Sequence, residues 1–332
     1  MLKLMKKYTA AFSVTGREWH LAEIIEKDIA PYVDTVTKDA LGNLIAFKKG
    51  LDSTKRVMVA AHMDEIGFIV TGIDEKGYVR VHNLGGIPAT ADMYTKVVFE
   101  NGLRGVLVPD QSTKAGDVTI KKLVIDIGAR SRKDAEKKVK IGDVCALECS
   151  FVRLMNNRFA AKAFDDRLGC AVAVKAASLV GTPAYDTYYV FTVQEEVGCR
   201  GSRTAAFTIA PTFGIAIDVT STGDTFGASP MEVSLGNGAA IKIKDNSAVC
   251  SQLIVDTLAA LAEKNKIKYQ LEILEFGGTD ASSMQTTGAG AYAGCISIPT
   301  RYVHTGVETV DLADCKAAAS LLASFIESGE KR

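Results

Sequence analysis

RVMVAAHMD, residues 56–64, is an apolar run that ends abruptly on His62 and Asp64. A run this short, bounded by polar residues, predicts a buried strand. Three more stretches follow the same plan: Tyr188–Val193 (YYVFTV) runs into Glu195 and Glu196, Thr212–Ile217 (TFGIAI) into Asp218, and Ala289–Ile298 (AGAYAGCISI) leads toward His304. Between them, Arg167–Val180, Ser247–Lys264 and Leu312–Ile326 carry apolar residues at helical spacing. Strands alternating with helices predict an α/β fold with a mixed, mostly parallel sheet flanked by helices.

The span from Gly67 to Arg158 breaks this alternation. It is rich in glycine, valine and short alternating runs such as GYVRVH (77–82), with turn signals at DEKG (74–77) and ENG (100–102). That pattern predicts a small all-β module. The expected organisation is a discontinuous main domain, residues 1–66 and 159–332, interrupted by a β insert at 67–158. No repeat or long linker separates the two, so the insert leaves and re-enters the main domain through short connections.

With 332 residues and 47% apolar content, the chain can bury a substantial core. Basic and acidic residues number 39 each, which removes the electrostatic footprint of a nucleic-acid or membrane-surface binder and favours a peptide or small partner. The start, MLKLMKK, has the charge of a secretory leader, but Arg17, Glu18 and His20 break the apolar stretch after it, so no signal peptide is expected. No run approaches the roughly 18 apolar residues that a membrane span needs. Seven cysteines, odd in number and without a CxxC pair, suit a reducing compartment. The expected location is cytoplasmic.

In an open α/β sheet, ligands bind beyond the carboxyl ends of the strands. His62, Glu195, Glu196, Asp218 and His304 all fall there, and Asp165 with Asp166 stands in a loop before a helix that can join them. Two imidazoles and several carboxylates form a ligand set for zinc, cobalt or manganese rather than calcium. An aspartate of the 165–166 pair could bridge two ions about 3.5–4 Å apart. Adjacent side chains of an extended chain point to opposite sides, so one of Glu195 and Glu196 can bind metal while the other takes a proton. Residues two apart share a side, which lets Asp64 accept a hydrogen bond from His62 and fix its tautomer. His20 and His82 receive no role.

These segments closely resemble the tetrahedral, or TET-type, metallo-aminopeptidases, a family that includes glutamyl and leucyl aminopeptidases. The matching motifs are AHMDEIGF (61–68), AFDDR (163–167), VQEEVG (193–198), AIDVT (216–220) and IPTRYVH (298–304), joined by SVTG (13–16), HNLGG (82–86) and GGTDA (277–281). The resemblance runs through almost the whole chain in the same order. It implies a zinc-exopeptidase-like fold with two divalent metal ions, zinc or cobalt, with manganese also acceptable to these ligands. One ion would be bound by His62, Asp165 and Asp218, the other by Asp165, Glu196 and His304. Glu195 is then the general base, with Asp64 behind His62. A cis peptide bond between Asp165 and Asp166 is implied too. The β insert becomes a dimerisation domain, and the dimers a hollow tetrahedral dodecamer.

The implied reaction is hydrolysis of the first peptide bond of a peptide with a free N-terminus, with Glu195 moving the proton. Lys242 and Arg301 lie near segments that could line the pocket for the first side chain. A buried cation there favours glutamate or aspartate; the alternative is that both are exposed surface cations, and the preference, glutamyl/aspartyl or leucyl, stays open. The GGTD turn (277–280) either approaches the substrate backbone or serves only as a strand-to-helix turn. An endoglucanase is the rival enzyme, because members of the family have been labelled cellulases. That chemistry gives His62 and His304 no function, and a single tryptophan, Trp19, offers little sugar stacking. An inactive assembly module would have lost Glu195 or a ligand, and none is lost.

Overall fold

The computed structural model describes residues 1–329. Helices α1 (Leu2–Thr9) and α2 (Trp19–Ile29) lead into β1 (Thr35–Lys38), β2 (Leu44–Lys48) and β3 (Asp52–His62). Then come β4 (Gly67–Ile73), β5 (Val79–Leu84), β6 (Lys96–Phe99), β7 (Arg104–Pro109), β8 (Leu123–Asp126), α3 (Arg132–Ala135) and β9 (Val144–Leu147). The chain continues through β10 (Val152–Arg153), β11 (Arg158–Ala161), α4 (Phe164–Ala177), β12 (Tyr185–Thr192), α5 (Arg200–Ile209) and β13 (Phe213–Thr220). It closes with β14 (Ala239–Lys244), α6 (Gln252–Lys264), β15 (Tyr269–Ile273), α7 (Asp280–Thr286), β16 (Tyr292–Arg301), β17 (Glu308–Asp311) and α8 (Leu312–Ser328).

The main sheet runs β1-β2-β12-β3-β13-β16-β17-β11-β10, with β14 and β15 branching from β16. Its four central strands, β12, β3, β13 and β16, are parallel, and antiparallel strands extend it on both sides. The fold is therefore the expected mixed α/β one, and the four apolar runs are its four central strands. Strand β13 is buried at every position, Asp218 and Thr220 included, as befits a parallel strand covered on both faces. Successive side chains divide between those faces. Val57, Val59 and Ala61 join the large core under α1, α2, α4, α6 and α8, while Met58 and Ala60 pack with Ala205 and Ile209 of α5 and Met284 of α7.

Strands β4 to β9 close into an antiparallel barrel, ordered β4-β5-β8-β7-β6-β9, around Phe68, Val70, Val81, Phe99, Leu107 and Ile125. Closure removes the unpaired strand edges of so small a sheet. The barrel ends with Leu147, and β10 already pairs with β11 of the main sheet.

Register sets the stage for the site. Thr192 lies opposite His62, Ala216 opposite Ala60 and Ser297 opposite Asp218, so the carboxyl ends of the central strands meet along one edge. Behind that edge sits a buried ion cluster. Arg167 of α4 donates to the carbonyls of Tyr8, Ala11 and Ser13 and to Glu65 Oε1 at 3.0 Å, while Lys162 pairs with the other oxygen of Glu65.

Candidate active site

His62 ends β3. Its Nδ1 lies 3.1 Å from the carbonyl oxygen of Asp64. A carbonyl only accepts, so Nδ1 carries the proton and Nε2 is free; Nε2 faces Asp165 Oδ1 at 3.0 Å. The carboxylate of Asp64 stands 3.5 Å from Nδ1 and has other partners. It accepts from the Thr15 hydroxyl at 2.9 Å and from the backbone N–H groups of Glu195 and Glu196 at 3.0 and 3.3 Å. The expected hydrogen bond from His62 thus goes to the backbone of Asp64, because the chain leaves the extended conformation after His62.

Glu195 and Glu196 are likewise not in a strand. Strand β12 stops at Thr192 and Gln194 adopts φ 55°, so the alternation of an extended chain does not govern these two acids. A turn, held by Asp64 and by the Glu18 carboxylate accepting from Gln194 N–H, separates them instead. Glu196 Oε1 faces His304 Nε2 at 3.3 Å, and Glu195 Oε1 accepts from the Cys199 thiol at 3.1 Å. The barrel closes this side. Gly85, at φ +81°, lets the backbone pass so close that a Cβ would sit 2.8 Å from Glu196 Oε2, a conformation glycine tolerates best.

Asp165 occupies the middle. One oxygen faces His62 and the other faces His304 Nε2 at 3.1 Å, and the peptide bond to Asp166 is cis, as the resemblance implies. Asp166 is engaged differently: its carboxylate accepts the backbone N–H groups of His62 and Gly169. Gly169 is obligatory there, since a Cβ would lie 2.2 Å from Asp166 Oδ2. Asp218 Oδ1 is 4.0 Å from His62 Nε2. Two groups of ligand atoms lie within 4.8 Å of one another and could hold a metal ion: His62, Asp165 and Glu196, and His62, Asp166 and Asp218. The first group contains His62 where the sequence-based set has His304, and the second contains Asp166 where it has Asp165. We favour Asp165, because its two oxygens face the imidazoles whereas Asp166 is taken up by backbone donors.

His62, Asp165, Glu195, Glu196, Asp218 and His304 line one cavity of about 960 Å³. Its electrostatics are lopsided. The charged groups that act on Asp165, Asp218, Glu195 and Glu196 are other acids and the two imidazoles. Burial, and then charge from Asp165, pushes Asp218 well above the usual carboxylate range. Burial likewise raises Glu195. For His304 burial works downward, but hydrogen bonds to Asp165 and Glu196 outweigh it and push the pKa up to about 12. So many buried acids, with no permanent cation paired to them among the described residues, call for compensation. Glu196 Oε1 is buried with the His304 imidazole facing it at 3.3 Å, and the mixed imidazole–carboxylate donors suit a divalent transition metal.

Some contributors were invisible in the sequence. Glu308 of β17 accepts the backbone N–H groups of both Asp165 and His304, at 3.0 and 2.9 Å; its position in a short ETVD strand gave no signal. Lys242 needs correction. It is neither a pocket cation nor a surface one, being fully buried and paired with Glu272 directly opposite on β15. Arg301 does line the cavity, but Asp224 neutralises it at 2.6 Å. In the GGTD turn Thr279 caps α7 by accepting from Ala281 N–H, and Gly277, Gly278 and Thr279 line the cavity.

A sequence model described as M42 glutamyl aminopeptidase matches residues 42–321. A protein of Acetivibrio thermocellus, provisionally named an aminopeptidase, is 46% identical over 327 residues, 98% of each chain. Among solved structures, an aminopeptidase from the archaeon Desulfurococcus kamchatkensis superposes with a TM-score of 0.94 at 37% identity, covering 98% of this chain and 94% of its own. The Pyrococcus horikoshii TET1 peptidase, described as assembling into a tetrahedron or a large octahedral shell, gives a TM-score of 0.88 at 32% identity over 98% and 99% of the two chains.

Proposed function

The chain belongs to the M42 glutamyl aminopeptidase family, and from that membership we propose that it releases the N-terminal residue of peptides with two divalent cations and Glu195 as general base. The observation that carries this reading is Asp165, whose two oxygens face two different imidazoles at 3.0 and 3.1 Å. His62, Asp165 and Asp218 would hold one cation; Asp165, Glu196 and His304 would hold the other. Bound there, the cations supply Lewis acidity to the scissile carbonyl and lower the pKa of the attacking water.

Glu195 takes the proton from that water and returns it to the departing amine nitrogen. Asp64 orients the machinery: its carbonyl sets the His62 tautomer, and its carboxylate holds the Glu195 and Glu196 backbone. Because Lys242 and Arg301 are both neutralised by carboxylates, the first side chain meets no free cation from either. That favours a neutral, leucyl-type residue over glutamate or aspartate.

The cations fit zinc or cobalt, and manganese as well. The barrel is the dimerisation domain in this reading and the dimers build a tetrahedral dodecamer; the tetrahedron or large octahedral shell named for the Pyrococcus relative supports a homo-oligomer. Seven free cysteines favour the cytoplasm, and no helix among the described residues is long and apolar enough to cross a membrane. The test is to strip the protein with a chelator, restore zinc, cobalt or manganese, and assay leucyl, glutamyl and lysyl anilides beside carboxymethylcellulose. Metal-dependent release, fastest from the leucyl anilide, is expected; no metal-dependent release from any anilide overturns the reading.

A further inference from the structure

A third group of ligand atoms lies beside the proposed two-cation centre and shares only Glu195 with it. Atoms of Glu195, Cys199 and Asp280 fall within 4.8 Å of one another. Cys199 stands immediately before α5 and Asp280 opens α7; the Ser283 hydroxyl, donating to the Cys199 carbonyl at 3.0 Å, ties the two helix starts together. Glu195 and Cys199 both line the cavity, so the group is open to small solutes.

Asp280 is the independent pointer. It is only 3% exposed. Its Oδ2 accepts from the Thr192 hydroxyl at 2.6 Å; the Ser202 hydroxyl lies beside the carboxylate but gives its hydrogen to the Cys199 carbonyl at 3.1 Å, which leaves Oδ1 buried without a donor. A buried carboxylate oxygen left in this condition is costly unless something positive reaches it.

One thiol and two carboxylates make a donor set softer than the imidazole–carboxylate centre next to it. Thiolate selects thiophilic ions such as zinc or cadmium over magnesium or manganese. We infer that Glu195, Cys199 and Asp280 form an inhibitory site for a thiophilic divalent cation, which on binding withdraws Glu195 from proton transfer. The inhibitory part rests on the proposed role of Glu195; the binding part does not. Binding replaces the Cys199 S–H bond by a sulfur–metal bond and releases the proton to solvent, with no change of oxidation state. Without a cation, burial keeps the thiol protonated, and it donates to Glu195. Occupation therefore costs that hydrogen bond and a deprotonation, so this site fills after the first two.

The test uses the full chain already carrying two equivalents of metal. Cadmium chloride is titrated in while the ultraviolet thiolate-to-cadmium charge-transfer band and anilide turnover are recorded together. A further equivalent should produce the band and a parallel loss of turnover, and both responses should vanish in Cys199→Ala and Cys199→Ser, each referred to its own cadmium-free rate. A band that persists in both variants, or no band at all, overturns the site. A Cys199-dependent band with turnover untouched overturns the inhibition. Absence of anilide turnover from the outset would instead defeat the aminopeptidase reading, and the band would still decide the site.

Discussion

Asp64 and Glu65 are neighbours in the chain and both buried, yet they serve clusters with opposite charge balance. Glu65 meets two cations, Lys162 and Arg167, and accepts the backbone N–H of Ser13 as well. Among the described residues Asp64 meets no lysine or arginine in an ion pair, and it faces the acid-rich cavity through His62, Glu195 and Glu196. The first cluster is closed by the chain itself. The second is left short of positive charge, and that deficit, rather than burial or residue type, marks the place where something from outside belongs.

Four experiments can break or sharpen this contrast. The largest effect is expected from Glu195→Gln, which should cut turnover by about 10²–10⁴-fold while metal content, read by atomic absorption, stays at the wild-type level. An active variant would move the base elsewhere. Next, Glu65→Gln leaves Arg167 and Lys162 buried without their acid and should cost about 3–5 kcal/mol, seen as a lower denaturation midpoint. Burial works to raise Glu65, but Lys162 and Arg167 outweigh it and hold its pKa below the ordinary 4.5. Its contribution is thus present above that value and is lost as pH falls through the lower folded pKa. The acid limb of a stability profile should therefore flatten in this variant and not in Glu195→Gln.

Removal of metal comes third. A cation present at 100 times its dissociation constant stabilises by about 2.7 kcal/mol, so chelation should lower the melting temperature of the wild type and restoration should recover it. Were chelation without effect, the charge deficit would not be met by a cation. The smallest change is expected from Asp64→Asn, which replaces an acceptor of three donors by a group with donors of its own and should weaken metal binding about 10–100-fold, measured by competition with a chromophoric chelator.

The fold was legible because the four central strands are continuous apolar runs, each followed by an ionisable residue, and water-covered loops rarely show that pattern so regularly. Grouping His62, Asp165, Glu195, Glu196, Asp218 and His304 around one cavity followed from the same rule. The geometry inside was less accessible. The roles within the Glu195–Glu196 pair depend on a left-handed Gln194 and on Asp64, 131 residues before Glu195, neither of which periodicity records. Lys242 shows the same limit: only register, Lys242 against Glu272, reveals that an apparently free cation is spent across a strand pair. Glu308, Cys199 and Asp280 come from a short strand and two helix starts, where local pattern is weakest.

The barrel sits in the chain between His62 and Asp165, which are 103 residues apart, and His304 follows later still. During synthesis, then, the barrel can close on its own contacts while the first histidine waits without its partners, because loop closure over such distances must be met before the site rewards it. A nascent or truncated chain would expose at most a scattered fraction of the acids. A cation held there would thus be captured only after the segments on both sides of the barrel and the one that carries His304 have come together.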